Sequence, residues 1–238
     1  HDIDGRLAPA IARAAPALTA AFAGIALNLT DATDPKVVGA AQDYLNAQII
    51  RHPADEATIG WARRNALALA LGMAVDAVLY CDFDHMIRWI EADPAELSRT
   101  LAASPETDLL VVGRSPQSFA AEPRRLRETE AAVNHVYALM TGRPWDLMFA
   151  IRRCSRRAAE TIVRDSRVDT LANDVEWPLL AERAGLSLGY AEANGLYYRT
   201  MDEFGAAADS HDEEALEWIR RLEFAGAHAS AFRPFLGK

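Results

Sequence analysis

The chain has 238 residues, 50% of them hydrophobic and 25% charged, which is enough apolar material for one substantial core in a single domain over 1–238. Both charge signs are interspersed and no apolar run approaches the roughly eighteen residues of a membrane span, so disorder, coiled coil and transmembrane segments are excluded as classes. With 25 Lys and Arg against 34 Asp and Glu the net charge is −9, a field that repels phosphate backbones, and polymeric nucleic acid is not an expected partner.

Short apolar runs alternate with longer segments of helical period, the pattern of an α/β layered sheet. A short amphipathic helix from about Leu7 leads to a strand near 22–29. Asp34-Pro35 then opens a second helix with Pro at its first position, and a brief strand follows over 48–51. Thr58 is placed as the N-cap of a helix whose Ile59, Ala62, Ala66, Leu69 and Ala70 share a face, with Gly72 stopping it in the left-handed conformation. The run 77–81 is the best strand of the chain. Asp93-Pro94-Ala95-Glu96 reads as a capping box for a helix to about 103, followed by a strand over 109–113. A long helix from about 123 to 140 ends before Gly142. A strand over 147–151, a helix capped by Ser155, a helix over 175–184 and an apolar segment over 186–191 come next. Ser210 and Glu213 read as a capping box for a C-terminal helix, in a segment from Asp209 whose apolar face carries Leu216, Ile219 and Leu222.

The two cysteines, Cys81 and Cys154, show no CxxC or Cys/His clustering, which argues against a structural metal or redox pair and for a reducing, cytoplasmic setting. No basic-then-apolar leader pattern opens the sequence. The segment Tyr80-Cys81-Asp82-Phe83-Asp84 carries the chemistry. A buried strand ends in this Asp-x-Asp, and its period sets Asp82 and Asp84 on one side and Phe83 on the other, making a two-carboxylate claw for a hard cation. In open α/β sheets ligands lie beyond the carboxyl ends of strands, where such a cation also takes diphosphate oxygens. The plainer alternative is that these acids are turn or N-cap residues.

Ahead of this strand stands Gly60-Trp61-Ala62-Arg63-Arg64-Asn65-Ala66-Leu67, and Asn173-Asp174-Val175-Glu176-Trp177 lies downstream, with Asp174 eleven residues before Gly185. Gly-x-Ala-Arg-x-Asn, an alanine-rich helix, a strand ending in Asp-x-Asp and a later Asp-containing segment, in this order, resemble the GT-A-type, family-2-like glycosyltransferases over roughly residues 20–200. The resemblance implies a GT-A-like (Rossmann-like) mixed sheet flanked by helices, with a C-terminal helix. It also implies a metal-dependent transfer from a nucleotide-diphospho-sugar to an acceptor with inversion, using Mg²⁺ or Mn²⁺ held by Asp82 and Asp84. Asp174 is then the general base or, on local grounds alone, an N-cap, and Glu176 contacts acceptor hydroxyls. Arg63 either compensates diphosphate charge or forms a structural ion pair, and Asn65 holds a loop.

Asp31 follows a strand where the family places a nucleotide-contacting aspartate, although the glycine of that turn is missing. The family's first strand has no counterpart before Leu7, so either the sequence begins late or the nucleotide pocket is altered. Arg114, after its strand, faces the sugar or the acceptor, or is a solvated loop residue. Trp145-Asp146 resembles an acceptor segment, with an aromatic face for a sugar ring and an acid for its hydroxyls, or Trp145 is a core plug. Glu130 and Asn134 are one turn apart and pair on the helix surface. His85 and His211 are candidate extra metal ligands. Two other functions fit the same pattern: a nucleotidyltransferase making sugar nucleotides, and a non-catalytic nucleotide-sugar-binding domain. Oligomeric state is left open.

Overall fold

The computed structural model describes residues 1–196 and 210–237. Helices and strands alternate for most of the chain: α1 (Leu7–Ala21), β1 (Ala26–Thr30), α2 (Pro35–Leu45), β2 (Gln48–His52), α3 (Ile59–Leu71) and β3 (Ala77–Tyr80). Then come α4 (Phe83–Ala92), α5 (Pro94–Ala102), β4 (Leu109–Arg114), α6 (Pro116–Ala120) and α7 (Arg124–Thr141). The chain continues through β5 (Ile151–Ser155), α8 (Arg156–Asp165), α9 (Asn173–Arg183), β6 (Leu188–Ala193) and α10 (Ala215–Phe232). This is a mixed α/β architecture with a mixed open sheet and a C-terminal helix. β1 pairs in parallel with β2, while the other four strands run in the order β3-β5-β4-β6, with β5 antiparallel to both neighbours and β4 parallel to β6. All six residues of β4 are buried, as expected of a central strand covered by helices on both faces.

Helix boundaries follow local chemistry. Asp34 caps α2 by accepting from the Lys36 amide, Asp93 caps α5 by accepting from Ala95 and Glu96, and Ser155 caps α8 by accepting from Ala158. α7 stops at Gly142, whose φ of 73° is the left-handed conformation that costs a glycine least. Four expectations are corrected. Gly72 ends α3 with a right-handed φ of −66°. Thr58 makes no cap, because its hydroxyl donates back to the Asp55 carbonyl. The expected strand over 147–151 begins only at Ile151, since the backbone of 147–150 turns and Ala150 takes a φ of 54°. α10 starts at Ala215 after a 3₁₀ turn over Ser210–Glu213, so that segment is not a capping box, and Asp209 lies outside the described residues.

Two helices went unforeseen, and one changes the site. The strand at 77–81 ends at Tyr80, Asp82 becomes an N-cap position with ψ of 130°, and α4 begins at Phe83. Met86, Ile87, Trp89 and Ile90 of α4 are buried in the cluster that also contains Ile11, Ala14 and Leu18 of α1. That packing favours helix where the strand period alone favours extended chain. Among the described residues no helix is long and apolar enough to cross a membrane.

Candidate functional site

The carboxyl ends of β1 and β3 open on a cavity of about 580 Å³. Its wall includes Asn28, Thr30, His52, Arg63, Tyr80, Asp82, Asp84 and Arg88, with His1 and Asp2 at one side. This is the crevice beyond strand ends where open α/β sheets hold ligands.

Arg63 organises its inner wall. Its Nη2 donates to Asp82 Oδ2 at 2.8 Å, and its Nη1 donates to Asp174 Oδ1 at 2.8 Å and to Asn173 Oδ1 at 2.9 Å. One guanidinium therefore joins the end of β3 to the start of α9, using the two-pronged donor geometry that lysine lacks. The motif glycine explains how α3 comes this close: a Cβ on Gly60 would lie 2.3 Å from the Thr170 carbonyl oxygen and 2.5 Å from that of Val168. Without a side chain there, the Gly60 amide donates to the Asp169 carbonyl at 2.6 Å, satisfying a free donor of the α3 amino end. Arg64 clamps the same loop through the Val168 carbonyl at 2.6 Å and the Asp169 carboxylate.

Burial alone would push the Asp82 carboxyl up, but Arg63, His85 and the hydrogen bonds from Tyr80 and Arg63 bring it below the usual range. The Tyr80 hydroxyl is driven up by burial and by Asp82, to which it donates. Cys81 is pushed well up by burial and then by Asp82 and Asp84, and burial takes Cys154 to about 12, so both remain thiols rather than nucleophiles. Asp174 is buried, and its Oδ2 faces His228 Nε2 of α10 at 3.9 Å.

The sequence expectations divide accordingly. Arg63, Asp82, Asp84 and, through Arg63, Asp174 are brought together. Asp82 and Asp84 are not a strand-period claw, because one is an N-cap residue and the other lies in the first turn of α4. Asp31 is exposed in the turn after β1, beside the cavity but not in its wall, with Arg51 Nε 3.6 Å from its carboxylate. Asn65 is half-buried on α3 and holds no loop. Glu176 does: its carboxylate accepts from Ser166 Oγ and from the amides of Arg167 and Val168, which occupies it away from the cavity and removes the expected contact with acceptor hydroxyls.

Neither alternative for Arg114 is met. Its side chain is 1% exposed and bound by Glu122 at 3.0 Å, Glu130 at 2.7 Å and Asp146 at 2.8 Å. Asp146 is held below the usual carboxylate range, since the Arg114 contacts outweigh the upward push of burial. Glu130 and Asn134 do not pair with each other: Glu130 also takes Arg221, and Asn134 donates to Asp146 at 2.9 Å. Trp145 stacks on Tyr190 at 5.3 Å with an interplanar angle of 6°. This network joins β4, α7 and α10 and lies outside the cavity wall. His85 stacks on Phe149 at 4.2 Å with its Nε2 3.9 Å from Asp84 Oδ2, while His211 pairs with Glu214 on the surface at 2.8 Å, away from Asp82 and Asp84.

Sequence reasoning missed Tyr80, Arg88, Asn28, His52 and His228. Tyr80 was legible in part, since two residues before Asp82 it shares the strand face. Arg88 is four residues after Asp84 and 3.7 Å from it, a spacing that shows only once α4 is recognised. Among the described residues no three His, Cys, Asp or Glu side chains gather as a metal site. Mg²⁺, however, is commonly held by one or two carboxylates plus substrate phosphates. Asp84, 40% exposed and reaching Arg88 and His85 only at 3.7 and 3.9 Å, fits that mode, and Asp82 is committed to Arg63 and Tyr80. No protein-family model matches the chain, and no curated protein matches it significantly.

Proposed function

We propose that this chain is a glycosyltransferase of the GT-A-like kind, moving a sugar from a nucleotide-diphospho-sugar to an acceptor hydroxyl with inversion. The supporting observation is the single buried guanidinium of Arg63 linking Asp82, on the cavity wall, to Asp174. Displacement at an anomeric carbon needs charge compensation for the leaving diphosphate and a carboxylate to take the acceptor's proton. Arg88 lines the cavity and supplies positive charge, and Arg63 holds Asp82 and Asp174 in place. The acceptor oxygen bonds to the anomeric carbon, its proton passes to Asp174, the carboxylate held behind Arg63 and outside the cavity wall, and the carbon–oxygen bond to the diphosphate breaks with its electron pair left on phosphate. Asp84 would hold Mg²⁺ or Mn²⁺, whose charge steadies that leaving oxygen when bound, while Asp82 stays with Arg63 and Tyr80.

Thermal unfolding tests the binding half. UDP or GDP with Mn²⁺, at a hundredfold excess over the dissociation constant, should stabilise the chain by about 2.7 kcal/mol, and Asp84→Asn should abolish the Mn²⁺-dependent part. No shift with any nucleoside diphosphate, with or without the cation, would sink the proposal. For the chemical half, Asp174→Asn should lower turnover by about 10²–10⁴ with donor affinity nearly unchanged. Unaltered turnover would remove Asp174 from the reaction, and nucleotide binding without turnover on any sugar acceptor would favour the non-catalytic binding domain.

A further inference from the structure

β1 and β3 are edge strands of two separate sheets that line the same two cavities, and among the described residues each has one edge without a strand partner. The Gln48 amide donates to the Ile25 carbonyl and the Asp31 amide to the His52 carbonyl, so the odd-numbered residues of β1 pair with β2. By the ladder period Ala26 and Asn28 turn their N–H and C=O groups the other way. On β3 the Arg156 amide donates to the Asp76 carbonyl, so even-numbered residues pair with β5 and Ala77 and Leu79 face away. Among the described residues no backbone hydrogen bond joins β1 to β3.

The space between them is a continuous groove. A second cavity of about 490 Å³ is lined by Ala26 and Leu27 of β1 and by the whole of β3, the polar cavity by the whole of β1 and by Tyr80 of β3 alone, and the two share Ala26, Leu27, Ala66, Tyr80, Cys81 and Phe83. Hence β1 and β3 run in the same direction along the groove. Each face is roofed by apolar packing: Leu67 of α3 clusters with Val78 and Tyr80, while Leu18 of α1 and Met86 of α4 cluster with Leu79 on the opposite side.

We propose that this groove takes one extended peptide strand of about five residues, rising about 3.3 Å per residue, parallel to β1 and β3 and hydrogen-bonded to both. Two unpaired edges pointing the same way call for backbone, not a compact ligand, and roofing on both faces calls for valine and isoleucine at consecutive positions. The strand's carboxyl end emerges beside Arg63 and Asp82, and its insertion joins the two sheets into one. The proposal needs no nucleotide and stands independently of glycosyl transfer.

His1 hydrogen-bonds to Thr30 at 2.8 Å, at the carboxyl end of the groove, so a strand tethered ahead of it through a short glycine linker enters in the parallel direction. The test compares the chain with one carrying a tethered six-residue valine/isoleucine/threonine segment, by amide hydrogen exchange without nucleotide. In the chain alone, the Asn28 and Leu79 amides should exchange faster than those of Leu27 and Val78. The tether should slow the first pair by at least about tenfold, and a proline at its centre should cancel the gain. Equal protection of all four amides in the chain alone would mean the gap is closed, and unchanged exchange with the tether would mean it takes no strand. Either result overturns the proposal.

Discussion

Arg114→Met should destabilise the protein by about 3–5 kcal/mol at pH 7, the usual consequence of removing one partner from a buried ionic cluster. The guanidinium is 1% exposed and neutralises Glu122, Glu130 and Asp146, whose side chains are 0%, 7% and 10% exposed. Methionine fills much of the volume but takes away the cation that the three carboxylates share, although Arg221 still reaches Glu130. Set against a total stability of about 5–15 kcal/mol, the loss takes the fold near its limit. Adding Glu122→Gln removes the most secluded negative charge, so the double variant should be more stable than additivity predicts, by about 0.5–3 kcal/mol. Urea unfolding midpoints of the wild type, both single variants and the double variant measure both effects. A deficit under 1 kcal/mol for Arg114→Met would show that water or side-chain movement compensates the cluster.

Arg63→Met should cost a similar amount, about 3–5 kcal/mol at pH 7, and should also abolish the nucleotide-dependent thermal shift. In the wild type the Asp82 carboxyl is depressed in the fold, so its contribution is full above its unfolded value near 3.9 and is lost as pH falls through the lower folded value. Without Arg63 the sign reverses. Burial then acts unopposed by that cation and raises the carboxyl, so protonating it relieves the penalty. The deficit of Arg63→Met relative to wild type should therefore shrink as pH is lowered from 7 towards 4. A constant deficit across that range would mean that lost packing, not the orphaned carboxylates, is responsible. Arg63→Lys should recover only part of the loss, because an ammonium cannot bond Asp82 and Asp174 as the two guanidinium nitrogens do.

The sequence by itself determined what depends on neighbours a few residues away. Alternating apolar runs set the α/β class. The caps at Asp34, Asp93 and Ser155 and the stop at Gly142 were legible because each works within one helical turn. The motif order around Gly60, Arg63, Asp82 and Asp174 marked residues that come together around Arg63, of which Arg63 and Asp82 stand in the cavity wall. Tertiary structure alone decided what each of them does. The Arg63–Asp174 contact spans 111 positions and the Arg114–Asp146 contact 32. Whether an arginine faces a ligand or neutralises buried acids is fixed by which elements pack on it. Asp82 and Asp84 show the same limit at short range, for burial of Met86, Ile87, Trp89 and Ile90 against α1 turned an expected strand end into a helix start. Local propensity is worth tenths of a kcal/mol per residue, and burying such side chains is worth about 1.5–3 kcal/mol each, so packing prevails wherever the two disagree.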